Sequence, residues 1–217
     1  MLSRKSKVRR YLSTIAAAAL LAGNSLKAQE ISGSIDSTTT DKALVIDTKL
    51  SLDVNKNINL FARNRTSFDY KTDSKIPFTL LNASYNFKNG LGVVGEVQFP
   101  YQMNPEPRLG LQYFKKFGNL GLYAEGTARI GNDPNGEILA RLRYSHPITS
   151  KLEAIAQVEA ITDFDGTGLT FATQRCKAGL AVGKNLEFGV EADVTQVPIR
   201  GKLETNHTLG GYFTIKF

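Results

Sequence analysis

The sequence predicts an all-β fold, an antiparallel up-and-down β-barrel of about twelve strands with its apolar face turned outward, and three observations predict it. Apolar and polar residues alternate with period two through most of the chain beyond residue 30. The polar side of that alternation carries about twenty charged residues, more than a soluble barrel or sandwich of this size can bury. After Gly23 no stretch of even ten residues is continuously hydrophobic, which excludes a helical membrane protein and leaves strands.

The clearest strand sets Leu44, Ile46, Thr48, Leu50, Leu52 and Val54 against Val45, Asp47, Lys49, Ser51 and Asp53. The pattern resumes after a turn with Ile58, Leu60, Ala62, Thr66, Phe68 and Tyr70 against Asn59, Arg63, Arg65, Ser67 and Asp69; Asn64 interrupts its apolar side. Further strands are expected near residues 76–87, 91–101, 107–117, 120–130, 137–146, 151–162, 169–182, 186–197 and 204–217, with a weak first strand near 30–37. Each is close to the roughly 9–11 residues that a tilted strand needs to cross hydrocarbon.

The connections alternate between two classes. Tight turns are expected at 55–57, 88–90, 118–119, 147–150 and 183–185, and longer loops at 38–41, 71–75, 102–106, 131–136, 163–168 and 198–202. Short turns on one rim and longer loops on the other are the arrangement of a transmembrane barrel, and an even strand count follows. Aromatic residues gather toward strand ends in two expected girdles, Tyr85, Phe87, Phe117, Tyr144, Phe188 and Phe217 at the short-turn rim and Phe68, Tyr70, Phe99, Tyr101 and Phe171 at the other.

A hairpin repeat of about 30 to 34 residues runs through the chain. Each tight turn is followed by an apolar residue (Ile58, Leu91, Leu120, Leu152, Leu186), and five positions later by Arg63, Glu96, Glu125, Gln157 or Glu191 on the opposite face. If the apolar face meets lipid, that opposite face lines an aqueous interior. The expected wall residues are Arg63, Arg65, Glu96, Arg108, Glu125, Arg129, Arg141, Arg143, Glu159, Arg175, Lys177 and Glu191. Neighbouring strands alternate in sign: Arg141 and Arg143 lie between Glu125 and Glu159, and Arg175 and Lys177 lie beside Glu191. Opposite charges across strands favour their pairing by roughly 0.2–1 kcal/mol each, and the same residues set up a field across a narrow pore. Eight strands leave an interior filled by side chains and sixteen leave a wide channel, so twelve allow a narrow pore or one closed by Arg–Glu contacts.

At the amino end, Arg4, Lys5, Lys7, Arg9 and Arg10 precede an apolar run over residues 11–23, the pattern of an export signal, with cleavage expected after Ala28. The domain expectation is therefore a signal peptide at 1–28 and one barrel domain at 29–217. Six of the 27 basic residues and none of the 20 acidic ones fall in the first 28, leaving 21 against 20, a net charge of +1. The basic balance belongs to the leader, and no nucleic-acid partner is implied. The single Cys176 sits on the apolar face and offers no intrachain disulfide.

No cofactor and no metal are expected. The acidic turns at 131–136 and 163–168 lack the later Glu of an EF-hand and are read as loops. The chain has two histidines. His146 falls at a short turn, and His207, with Ser37 as a possible neighbour if the last strand closes on the first, lacks the third member that a catalytic triad needs. The chain is not expected to be an enzyme; a rim-sited hydrolase is the third alternative, after a non-conducting structural, adhesion or receptor barrel.

The last strand sets Leu209, Gly211, Phe213, Ile215 and Phe217 against Thr208, Gly210, Tyr212, Thr214 and Lys216. It resembles the carboxy-terminal insertion signal of bacterial outer-membrane β-barrels, a spacing of polar, any, Gly, any, any, aromatic, any, hydrophobic that Thr208, Gly210, Phe213 and Ile215 match and that Phe217 strengthens. Over the whole mature length the pattern resembles small monomeric porins of about twelve strands, such as the oligosaccharide-specific channels. The resemblance implies outer-membrane lipid and lipopolysaccharide as surroundings, the barrel-assembly machinery as a partner of the last strand, and passive diffusion of small polar solutes or ions. The oligosaccharide channels carry basic tracks for acidic sugars, whereas these wall charges are nearly balanced in number.

Overall fold

Alternating sequences of this kind satisfy their backbone groups between strands, and a closed ring of strands leaves no unpaired edge. The computed structural model describes residues 30–131, 135–199 and 201–217. The expected signal peptide and the middle of the turn at 131–136 lie outside the described residues.

Twelve antiparallel strands follow one another round the ring: β1 (Glu30–Thr40), β2 (Ala43–Asp53), β3 (Ile58–Asp69), β4 (Lys75–Asn86), β5 (Leu91–Phe99), β6 (Glu106–Phe117), β7 (Leu120–Arg129), β8 (Asn135–Pro147), β9 (Leu152–Asp165), β10 (Gly168–Val182), β11 (Leu186–Ile199) and β12 (Lys202–Lys216). β12 pairs with β1 and closes the barrel, from Ser34↔Lys216 to Thr40↔Gly210. One more exchange secures the seam: Gly33 N–H donates to Phe217 O (2.8 Å) and Phe217 N–H to Gly33 O (3.1 Å). The fold, the strand count and the up-and-down order agree with the sequence reading.

The outer surface is a continuous apolar belt, including Leu109 (60 % exposed), Leu111 (64 %), Val158 (49 %), Val190 (57 %) and Leu209 (68 %). Such a belt is far larger than the apolar patches of soluble proteins, so its solvent is lipid. Asn64, which interrupts the pattern, faces outward and donates through Nδ2 to Thr79 Oγ1 on β4 (2.9 Å), so the amide meets lipid already bonded. Cys176 is also on the outer face and exposed.

Three sequence expectations require correction. The loops expected at 38–41 and 163–168 are tight connections of residues 41–42 and 166–167, and in place of the loop expected at 198–202 β11 runs to Ile199 and β12 starts at Lys202. Thr38, Thr39 and Thr40 continue β1, since β-branched residues suit a pleated strand, and β11 and β12 stay paired as far as Ile199↔Lys202. The two rims therefore differ less in loop length than expected; instead β8 to β12, at 13 to 15 residues, are taller than the bilayer requires. Phe171 does not join the outer girdle: it shares the inward parity of Thr173 and Arg175 and stands opposite Asp163, while a register shift just before it turns Leu169 outward beside Phe164. The third correction concerns His207 and is given with the lumen. At the rim away from the termini, Asp69 accepts hydrogen bonds from the Thr72 backbone and hydroxyl and from the Lys71 backbone, which hold its carboxyl below the usual range.

Candidate channel lumen

Period two fixes which face a residue takes, and the register fixes its neighbours. Arg141, Glu159 and Arg175 stand in line across β8, β9 and β10, and the same row continues through Asp193 on β11. By this register every expected wall residue points inward: Arg63 and Arg65 on β3, Glu96 on β5, Arg108 on β6, Glu125 and Arg129 on β7, Arg141 and Arg143 on β8, Glu159 on β9, Arg175 and Lys177 on β10 and Glu191 on β11.

The side chains form linked ion pairs. Arg175 reaches Glu159 (Nη1–Oε1 3.0 Å), Asp193 (Nε–Oδ1 2.9 Å) and Glu191 (Nε–Oε1 3.3 Å), and Lys177 Nζ lies 2.8 Å from Glu191 Oε2. Arg141 stands 3.9 Å from Glu159 and lies over the Tyr123 ring. On the opposite wall Arg63 Nη2 is 2.6 Å from Asp47 Oδ2, and Lys49 bridges Asp47 (3.5 Å) and Asp36. Arg108 pairs with Glu96 (3.4 Å) and Glu106 (3.7 Å), which also faces Arg129 (3.7 Å). Arg65 has no carboxylate within 4.0 Å among the described residues.

Some contacts span several strands because an intervening glycine leaves the path clear. Thr38 Oγ1 on β1 donates to Glu191 Oε2 on β11 (3.2 Å), past Gly210 on β12. Thr127 Oγ1 on β7 donates to Glu96 Oε1 on β5 (3.3 Å), past Gly110 on β6. Arg143 on β8 pairs with Glu187 on β11, which Lys216 on β12 also holds. Alternation puts Tyr212 on the inward face but does not disclose its packing: it stands opposite Gly189, over Gly179, and with Ile155 and Ala181 forms a small apolar cluster inside the wall. Lys177 Nζ sits 4.8 Å from the Tyr212 ring centroid.

Two cavities of about 950 and 390 Å³ enter the barrel from the rim that carries both chain ends. Ten Lys and Arg against five Asp and Glu line them together, and the larger ends against Arg63, Leu139, Glu125 and Glu159. Neither reaches a described residue of the opposite rim turns. Between them and that mouth lies a waist of buried charge, including Asp47, Glu96, Arg108, Glu159, Arg175 and Glu191. From Glu96 and Arg108 toward that mouth the inward positions are mainly acidic: Glu106, Glu137 and Asp163 join Glu96, against Arg108 and Arg129. The balance seen in sequence is thus a separation along the axis, basic at the terminal rim and acidic toward the other.

The possible Ser37–His207 pair does not form. Ser37 pairs with Phe213, six residues along β12 from His207, roughly 20 Å at strand rise. His146 instead stacks on Tyr144 (centroids 6.4 Å apart).

These features define the chain as a closed twelve-stranded barrel with an apolar exterior and a charged interior, the fold of small outer-membrane porins. Among solved structures, it is similar to the KdgM porin in complex with disordered oligogalacturonate (TM-score 0.56, 11 % identity, covering 86 % of this chain and 98 % of that one) and to the NanC porin (0.51, 10 %, 87 % and 99 %). It is also similar to LpxR from Salmonella typhimurium (0.50, 10 %, 85 % and 99 %). No family model matches the sequence, and no curated protein matches it.

Proposed function

We propose that the chain is an outer-membrane channel for passive diffusion of small hydrophilic solutes or ions, with Arg63, Arg65, Glu96, Arg108, Glu125, Arg129, Arg141, Arg143, Glu159, Arg175, Lys177 and Glu191 as its pore wall. The observation that carries this reading is the charged interior: a barrel whose inward faces hold so many ionised groups needs water inside it, and cavities lined by such groups already enter from one rim. The KdgM and NanC porins share the fold. The reading includes export with cleavage of residues 1–28, lipid and lipopolysaccharide around the belt, and delivery by the barrel-assembly machinery through Thr208, Gly210, Phe213, Ile215 and Phe217. It also includes the absence of catalysis, supported by the separation of Ser37 from His207.

The buried waist favours a second reading, a non-conducting barrel closed by its own ion pairs. Swelling of liposomes containing the folded barrel, in isotonic solutes of increasing size, separates the two. A channel admits the smallest polar solutes and excludes larger ones; swelling no faster than in protein-free liposomes for every solute overturns it.

A further inference from the structure

Carboxylates on five successive strands, β5 to β9, converge on the acidic side of the waist. Glu96 on β5, Glu125 on β7 and Glu137 on β8 each bring a carboxylate oxygen to within 4.8 Å of the other two. Asp163 on β9 stands opposite Glu137 in register, and Glu106 on β6 lies beside them. The cations nearby are few. Arg108 is shared between Glu96 and Glu106, and Arg129 faces Glu106. Among the described residues, Glu125, Glu137 and Asp163 have no Lys or Arg nitrogen within 4.0 Å. Five carboxyl groups against two guanidiniums amount to a formal charge of −3.

The hydrogen bonding is incomplete: one buried donor, Arg108 Nη2, and three buried carbonyl or carboxylate oxygens have no partner. Glu96, 4 % exposed, accepts through Oε1 from Gln98 (2.9 Å) and Thr127 (3.3 Å), while its buried Oε2 has no partner. Asp163 Oδ1 and Asn135 Oδ1, on the strands that carry Glu137 and its neighbour, are also buried acceptors without a donor. Glu137 receives one donor, Gln98 Nε2 (3.3 and 3.5 Å to its two oxygens), and Glu125 receives the Tyr123 hydroxyl. Buried acceptors left unmatched are costly, and what oxygen acceptors with excess negative charge lack is a cation.

We propose that Glu96, Glu125 and Glu137 form a divalent-cation site in the lumen that takes Ca²⁺. The donor set is all oxygen, which selects a hard cation. Two oxygens on one ion lie at most twice the metal–oxygen distance apart, about 4.6–5.2 Å for Ca²⁺ and about 4.1 Å for Mg²⁺. Separations of up to 4.8 Å suit the larger Ca²⁺ better than Mg²⁺, with small side-chain adjustments closing the oxygens on the ion and water completing its shell. Asp163, with its free oxygen beside Glu137, adds charge to the site. The ion would link β5, β7 and β8 across β6 at the mouth of the waist. Binding needs only water to reach the interior from that mouth, so it holds whether or not the barrel conducts.

The test is calorimetric titration of Ca²⁺ into the folded, chelator-treated barrel in detergent, with thermal unfolding followed in parallel. The expected result is one site per chain, a higher unfolding temperature with Ca²⁺, weaker binding of Mg²⁺, and a loss of affinity of at least about tenfold in each of Glu125→Gln and Glu137→Gln. Glu187→Gln, on the other side of the waist, is expected to bind as the parent does. Should Glu96→Gln fail to fold, the other two variants still decide. No heat and no thermal shift at millimolar Ca²⁺ would overturn the proposal, as would Mg²⁺ binding as tightly as Ca²⁺, or unchanged affinity in folded Glu125→Gln and Glu137→Gln.

Discussion

Arg175 and Glu159 face each other in register across the β9–β10 seam, with Nη1 3.0 Å from Oε1, and the same guanidinium holds Asp193 and Glu191 on β11. One cation is therefore shared by three carboxylates from two neighbouring strands. Breaking a buried pair from one side leaves uncompensated charge. Arg175→Met is expected to destabilise the barrel by about 3–5 kcal/mol, measured as a lower midpoint in denaturant unfolding.

Arg65 provides the contrast. It points inward beside Asp47 in register but has no carboxylate within 4.0 Å among the described residues, so removing it orphans no partner. Arg65→Gln is expected to cost less than about 1 kcal/mol in the same unfolding experiment.

Neutralising Arg141, Arg143 and Arg175 together removes three cations from the wall on either side of Glu159. The reversal potential in a salt gradient is expected to move toward cation selectivity. An unchanged potential in the folded triple variant would mean that ions do not pass these side chains.

Because the basic and acidic groups are separated along the axis, an ion meets a different potential from each mouth. Current through the reconstituted channel is expected to rectify at low salt and to become nearly symmetric near 1 M, where the screening length falls to about 3 Å.

Gly179 and Gly189 leave the space that Tyr212 fills. A Cβ at Gly179 would lie 2.6 Å from the Tyr212 hydroxyl and 2.2 Å from Phe188 O. Gly179→Val is expected to destabilise by about 1–3 kcal/mol through overpacking, visible as loss of the folded band at a lower temperature on unheated gels.

The particular residues show what was legible beforehand. Arg63, Glu96, Glu125, Gln157 and Glu191 recur at one distance from each tight turn, so their common face could be read without knowing any strand end. Parity survives errors of several residues in the boundaries, which is why Arg141 and Glu159 point inward although β8 runs longer at both ends and β9 ends three residues later than expected. Height does not follow from parity. The separation of Lys49, Lys116 and Lys216 from Glu96, Glu137 and Asp163 depends on register around the ring, and so does the convergence of Glu96, Glu125 and Glu137. The girdle expectation for Phe171 rests on its nearness to a strand end, although it shares the inward parity of Thr173 and Arg175; the irregularity before it turns Leu169 outward instead. Tyr212 was invisible as an interior anchor because its role comes from two glycines on other strands.

The central claim, that the charged interior conducts, is tested most directly by single-channel recording of the folded mature barrel in a planar bilayer. The account predicts reproducible current steps of steady, small size whose selectivity responds to the wall charges. Persistent silence from a barrel shown to be folded and inserted would contradict it, and would mean that the ion pairs around Arg175 and Arg108 keep the waist closed.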